Sequence, residues 1–293
     1  MTRDIILTTG PLGGTGDNLL YSTLPERFSK LGYDVWLDVD NTMRNGDMET
    51  MIWERNPYVR GRTDRKPNAG YVNHGRFYAL ANTLPVGAIE AMERAHGLPP
   101  PYSIAPKIYY TPRNCGDLSR YVLADFNAVS SRVGPDGLRG FTERMAWRFP
   151  DKQFLLVRFP EGIAQNAVEA EGLSIFLGDA ASYLDALHTA YAWVGVEAGG
   201  QALAAAVRGE HDAYDLGARL PCVALISPTT FNSRGYTFRG VEYHVTNFSM
   251  HQGDYWEPVE VPYQEYHDIS RAAIQRERAA WEAAQSRRQE GAA

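Results

Sequence analysis

The sequence predicts an α/β fold built of two Rossmann-like domains facing a cleft. Three observations carry that prediction. Two glycine-rich turns each follow an apolar strand and open a helix. Short apolar strands alternate with amphipathic helices along most of the chain. Between the two series lies a proline-rich stretch that suits neither helix nor central strand. The first turn, Gly10-Pro11-Leu12-Gly13-Gly14-Thr15-Gly16-Asp17-Asn18, follows Ile5-Ile6-Leu7-Thr8-Thr9. The second, Glu197-Ala198-Gly199-Gly200-Gln201, follows Tyr191-Ala192-Trp193-Val194-Gly195-Val196. Each such unit sets free backbone N–H groups and the positive end of a helix where an anion can sit.

Taken in order, residues 4–9 read as a buried parallel strand, because the apolar run is short and ends in glycine. Residues 17–31 read as a helix with Leu19, Leu20, Leu24, Phe28 and Leu31 on one face, stopped by Gly32. Residues 35–39 are the next strand, so the first unit is βαβ with a right-handed crossover. Residues 41–71 are polar and weakly periodic and read as an irregular segment at the cleft mouth. Residues 74–97 are largely helical with a break near Pro85, and residues 98–112 form the linker. The second series has strands at 121–127, 153–159, 173–177, 191–196 and 222–226, with helices at 138–148, 180–190 and 200–207. A final helix begins at Asp268. The resulting division is 1–108, 109–267 and a C-terminal helix over 268–293 that could cross back to the first domain.

A chain of 293 residues can bury a large core. Its 44% apolar and 22% charged content is that of a globular protein. With 29 basic against 35 acidic residues the net charge is −6, which disfavours broad nucleic-acid binding, so nucleic acid enters only as a possible acceptor. Cys115 and Cys222 are far apart, which predicts two free thiols rather than a zinc ribbon or a redox pair. No apolar run reaches the roughly 18–20 residues of a membrane span. The N-terminus runs straight into a strand, without a signal peptide, and the expectation is a cytoplasmic protein.

Familiar phosphate motifs are missing: the first turn lacks the Lys-Ser/Thr of a P-loop, and its glycine spacing is not G-x-G-x-x-G. No His-x-x-x-His pair offers a metal site, and the expectation is no metal and no cofactor. What the turns do resemble, together with three further blocks, is the heptosyltransferase-like glycosyltransferase family (glycosyltransferase family 9-like, GT-B fold). Gly16-Asp17-Asn18-Leu19-Leu20-Tyr21-Ser22-Thr23-Leu24-Pro25 is similar to the family's N-terminal Gly-Asp signature. Asn56-Pro57-Tyr58-Val59, Arg76 to Ala81, Gly195 to Ala206 and Ser227-Pro228-Thr229-Thr230 resemble later blocks in the same order, over about residues 4–240. Glu197 stands where the family has Asp, and Ala202 where it has His.

The resemblance implies an inverting, metal-independent transfer of a hexosyl or heptosyl group from a nucleotide-diphosphate sugar to a glycan-type hydroxyl. Asp17 would be the catalytic base; its other reading is a first-turn carboxylate that complements the helix dipole. On the acceptor side the candidates are Gly13, Gly14, Thr15, Gly16, Asn18 and His74. On the donor side they are Glu197, Gly199, Gly200, Gln201, Asn127, Ser130, Arg132, Thr229, Thr230 and Arg234, because loops after the strands of open sheets are where ligands bind. Arg132 and Arg234 are the cations nearest the expected diphosphate. Transfer to a protein or to a modified nucleobase in DNA, and a noncatalytic nucleotide-sugar-binding protein, remain alternatives.

Overall fold

The computed structural model describes residues 3–41, 43–83, 86–128, 135–159, 173–208, 222–226, 237–238 and 241–245. The chain forms two parallel sheets. The first contains β1 (Arg3–Thr8), β2 (Tyr33–Asp38), β3 (Val59–Thr63) and β4 (Ala69–Gly70) in the order β3-β2-β1-β4. The second contains β5 (Tyr121–Asp125), β6 (Gln153–Arg158), β7 (Ser174–Phe176), β8 (Ala192–Val196), β9 (Cys222–Ile226) and β10 (Val241–Val245) in the order β10-β9-β8-β5-β6-β7. All the strand pairs are parallel. Each sheet is therefore doubly wound and has one point where the strand order reverses: β1/β4 in the first, β5/β8 in the second.

Side chains alternate across the second sheet, as the two-residue period of a strand requires. Along β5, Val122 and Ala124 join Phe141 and Met145 of α6 (Pro135–Arg148). Leu123 faces the other way, into the cluster holding Leu184 of α7 (Ala180–Thr189) and Ala202 of α8 (Gly199–Arg208). That cluster is continuous with the core of the first half, because α1 (Thr15–Tyr21) packs against α8. Alanines at 202, 204, 205 and 206 are all buried and keep α8 narrow enough for that approach.

The predicted helix over 17–31 is two helices, α1 and α2 (Leu24–Lys30). Pro25 explains the break, since it has no N–H to donate to the carbonyl one turn back. Ser22 closes α1 instead, with both its N–H and its hydroxyl donating to Leu19 O. The segment 41–71, expected to be irregular, contains a short helix α3 (Gly46–Glu49), a π-helical turn over Thr50–Glu54 and the strands β3 and β4. Helices α4 (His74–Thr83) and α5 (Ala88–Ala95) follow. Strand β10 was not expected at all. The C-terminal helix over 268–293 lies outside the described residues.

Residues 98–115 carry neither helix nor strand, as the prolines dictate. This strap is bonded to both halves. On the first, Ser103 N–H donates to the buried Glu93 carboxylate (3.0 Å), Lys107 N–H to Ser22 Oγ (2.7 Å) and Tyr109 N–H to Met51 O (2.7 Å). On the second, the Tyr110 hydroxyl and Arg113 N–H both donate to Asp185 Oδ1 (2.8 Å each), and Cys115 N–H to Thr189 Oγ1 (2.9 Å). The allegiance changes between Tyr109 and Tyr110.

Candidate active site between two sheet switch points

Ligands of open parallel sheets bind beyond the carboxyl ends of the strands, at the point where strand order reverses. In the first sheet that point is flanked by the turn after β1, which is the Gly10–Asp17 loop, and by the residues after β4, Tyr71 to Tyr78. In the second it is flanked by Phe126-Asn127-Ala128 after β5 and by Glu197 to Gly200 after β8. The two points meet. A Cβ on Gly199 would sit 3.3 Å from the Thr15 Cβ and 3.5 Å from the Gly16 nitrogen. The two glycine turns thus lie face to face in near-contact where the two switch points meet.

Asp17 lies in the first turn of α1, half-buried, with its carboxylate folded back over Gly14. A Cβ on Gly14 would stand 2.6 Å from Asp17 Oδ2, so the approach needs glycine. Burial raises the Asp17 pKa above the ordinary carboxylate value, and the Arg44 guanidinium partly opposes the rise. Arg44 is bound to the same loop: its N–H donates to Gly13 O (2.9 Å), and its Cγ would lie 3.2 Å from a Cβ on Gly13.

Around this carboxylate stand aromatic rings. The Tyr21 hydroxyl, one turn along α1, is hydrogen-bonded to His74 Nδ1 (2.7 Å). His74 stacks on Tyr71 at 5.1 Å between centroids and meets Tyr78 edge-on at 4.7 Å and 88°. The Asp17 charge adds to burial in raising the pKa of Tyr21 and Tyr78, which places both phenols beside it. Burial lowers the His74 pKa, so its ring is neutral near pH 7. The Tyr71 ring lies over Gly10, whose φ of +61° and lack of a Cβ allow it; a Cβ there would be 2.6 Å from Tyr71 Cγ.

Asn18 turns the other way. It is fully buried, donates to Leu12 O (3.2 Å) and Gly14 O (3.0 Å), and accepts from Trp53 Nε1 (2.8 Å). It braces the first loop from the core and does not line the gap. Gly13 and Gly16 are buried in that loop, while Gly14 and Thr15 are partly open.

Across the gap, Gly199 and Gly200 form the N-terminus of α8. Gly200 packs on a buried polar group: a Cβ on it would lie 2.5 Å from Asp125 Oδ2 and 2.9 Å from the Tyr183 hydroxyl. The Tyr183 hydroxyl donates to Asp125 Oδ2 and accepts from Trp193 Nε1 (3.2 Å). Asn127 donates to Asp125 Oδ1 through both its N–H (3.0 Å) and its amide (2.8 Å), and also to Val157 O (3.1 Å). Burial raises the Asp125 pKa against these hydrogen bonds. Asn127 is therefore engaged in fixing the β5 end. Glu197 is 5% exposed, its N–H donating to Leu225 O (2.9 Å), with Tyr243 close enough to sense its charge. Gln201 and Ala202 are fully buried. Ser130, Arg132, Thr229, Thr230 and Arg234 lie outside the described residues. Arg44, Tyr71 and Tyr78 were not anticipated as site residues.

With this geometry in hand, the comparison with solved structures is decisive for the fold. TibC, a dodecameric iron-containing heptosyltransferase of enterotoxigenic E. coli H10407 solved with ADP-D-β-D-heptose, superposes with a TM-score of 0.56 at 16% identity, covering 92% of this chain and 73% of that one. The fold is GT-B. A glycosyltransferase family 9 protein of Veillonella parvula DSM 2008 shares it at a TM-score of 0.51 and 10% identity, over 83% of this chain and 86% of that one. The E. coli ADP-heptose lps heptosyltransferase II does so at 0.50 and 11% identity, over 94% of this chain and 99% of that one. No family model matches the sequence, and no curated protein matches it. Among the described residues of this GT-B chain, no three His, Cys, Asp or Glu side chains gather as a metal site, and no helix is long and apolar enough to cross a membrane.

Proposed function

We propose that the chain is an inverting, metal-independent glycosyltransferase that moves a sugar from a nucleotide-diphosphate donor to an acceptor hydroxyl. The observation that carries the reading is the opposition of Asp17 on one side of the gap to the N-terminus of α8 on the other, with Gly199 against Thr15 and Gly16. The donor diphosphate would lie at the α8 N-terminus, whose helix dipole favours an anion without a cation cofactor. Arg132, Thr229, Thr230 and Arg234 would complete the donor side, and the domain boundary would fall near residue 108. The acceptor hydroxyl would attack C1 of the sugar as Asp17 takes its proton. The C1–O bond to the diphosphate breaks with its electron pair leaving on the nucleotide, and the configuration at C1 inverts. A raised pKa makes Asp17 a stronger base than an ordinary carboxylate while Arg44 keeps it ionisable. TibC and heptosyltransferase II, both heptosyltransferases, support a heptosyl donor.

Incubation with a panel of nucleotide sugars, with and without EDTA, tests this by thermal shift and by free nucleotide. The expected result is one donor that stabilises the protein and is consumed equally in both conditions. Complete loss of binding and turnover on chelation would overturn metal independence; no donor binding at all would overturn sugar transfer.

A further inference from the structure

Strand β4 is two residues long, and different bonds hold its two ends. At its start, Asn68 is tied to β1. Its N–H donates to Ile6 O (3.0 Å), its amide oxygen accepts from Ile6 N–H (2.8 Å), and its amide nitrogen donates to Asp4 O (3.2 Å). At its end, the Gly70 N–H donates to His96 Nε2 (2.8 Å). Gly70 has a φ of +83°, and a Cβ on it would collide with Thr8 O, so the close approach of β4 to β1 needs glycine.

His96 follows the last residue of α5 and is half-buried. Its other ring nitrogen, Nδ1, lies 2.8 Å from Met92 O. A carbonyl only accepts and a backbone N–H only donates, so the two partners together fix the neutral ring as the Nδ1–H tautomer. A second proton would sit on Nε2 and point at the Gly70 N–H. Asn68, at the other end of the strand, has no such second state. We propose that His96 is an acid-sensitive latch on β4: while neutral it holds the Gly70 N–H, and on taking a proton from solvent it releases Gly70 and the turn Tyr71–Asn73 that begins there. Because that turn leads into His74 and Tyr78 beside Asp17, His96 is a positioning residue for the first side of the gap.

The ring is surrounded by Phe28 of α2, edge-on at 6.2 Å between centroids, by the Gly70 backbone and by the Met92 carbonyl. The charge that reaches it among the described residues is that of Arg76 on α4. Burial, foremost, lowers the His96 pKa, and Arg76 lowers it further, while the Met92 carbonyl acts the other way. The folded pKa thus lies below the unfolded histidine value of about 6.5. The latch is fully closed above that value and opens as pH falls through the folded one.

Ring-nitrogen NMR and amide hydrogen exchange on the full chain, followed together from about pH 7.5 down to about pH 5, test the latch without any substrate. At neutral pH, His96 should carry its proton on Nδ1. The Gly70 protection factor should hold steady above the ring's pKa and fall by at least about fivefold, the worth of one hydrogen bond, as the ring titrates. Val194, in the second sheet, should keep its protection throughout, because the opening is local. In His96→Gln the amide oxygen can accept from the Gly70 N–H but does not titrate, so Gly70 protection should be the same at both ends of the range. A bare Nδ1, ring protonation with unchanged Gly70 protection, or a loss shared by Val194 would overturn the latch. So would a loss that persists in His96→Gln, which would trace the response to His74, stacked on Tyr71. If His96→Gln does not fold, the wild-type titration decides by itself.

Discussion

At the scale of single residues, the behaviour of Asp17 follows from its surroundings. Its pKa is raised in the folded chain, chiefly by burial. The acidic limb of a pH–rate profile should therefore lie above the ordinary carboxylate value of about 3.9, with activity lost as pH falls through it. The linkage has the opposite sense for stability: a raised folded pKa favours the fold fully below the unfolded value, and that contribution is lost as pH rises through the folded one. At neutral pH the ionised side chain is thus a stability cost, and a limb at or below the unperturbed value would contradict this account of the pocket. Gly200 gives a second test. A methyl group there would press on Asp125, Tyr183 and the Trp193 ring, all buried and bonded to one another. Gly200→Ala should cost about 1–3 kcal/mol by overpacking, whereas Gly75→Ala, with nothing within 4 Å, should be neutral or stabilising. Equal melting temperatures for the two variants would mean that the α8 N-terminus is looser than described. Both glycine turns were legible in the sequence because glycine after an apolar strand has few other uses. Arg44, Tyr71 and Tyr78 were not legible. Tyr71 and Tyr78 are brought there by the two-residue strand β4, which pairs Ala69 with Leu7 and Gly70 with Thr8, and Arg44 by its single N–H bond to Gly13 O; neither leaves a periodic pattern.

At the scale of elements, the buried strands were readable because parallel strands covered on both faces become continuous apolar runs; Cys222 to Ile226 is one, and it was placed to the residue. Strand β10 escaped because Val241-Glu242-Tyr243-His244-Val245 alternates polar with apolar residues at the sheet edge. The α1–α2 break escaped because the apolar spacing continues across Pro25 and only the missing N–H interrupts the helix. Residues 98–112 of the strap were seen as a linker, but its anchoring was not, since these hydrogen bonds leave no sequence period. Asp185 is its anchor on the second half, receiving both Tyr110 and Arg113. Asp185→Ala should lower stability by about 1 kcal/mol, the scale of partly exposed hydrogen bonds to a carboxylate. A chemical-denaturation midpoint equal to wild type would show that the strap is held by its other contacts.

At the scale of the whole molecule, two doubly wound sheets present their switch points to each other, and one apolar cluster running through α1 and α8 fixes that arrangement. The consequence is chemical. On the proposed reading, Asp17 of the first half would be the base and the N-terminus of α8 of the second the donor's anion site, so that both halves would be needed to break one bond. The measurement that bears on this most directly is the initial velocity of nucleotide release by wild type and Asp17→Asn, on the productive donor and acceptor, with melting temperature taken on the same preparations. Asparagine keeps the shape of the side chain over Gly14 and removes only the base. The velocity should fall by about 10²–10⁴, the usual worth of general acid–base catalysis, at a melting temperature no lower than wild type. Wild-type velocity in Asp17→Asn would contradict the account, for the proton would then leave by a group elsewhere in the gap.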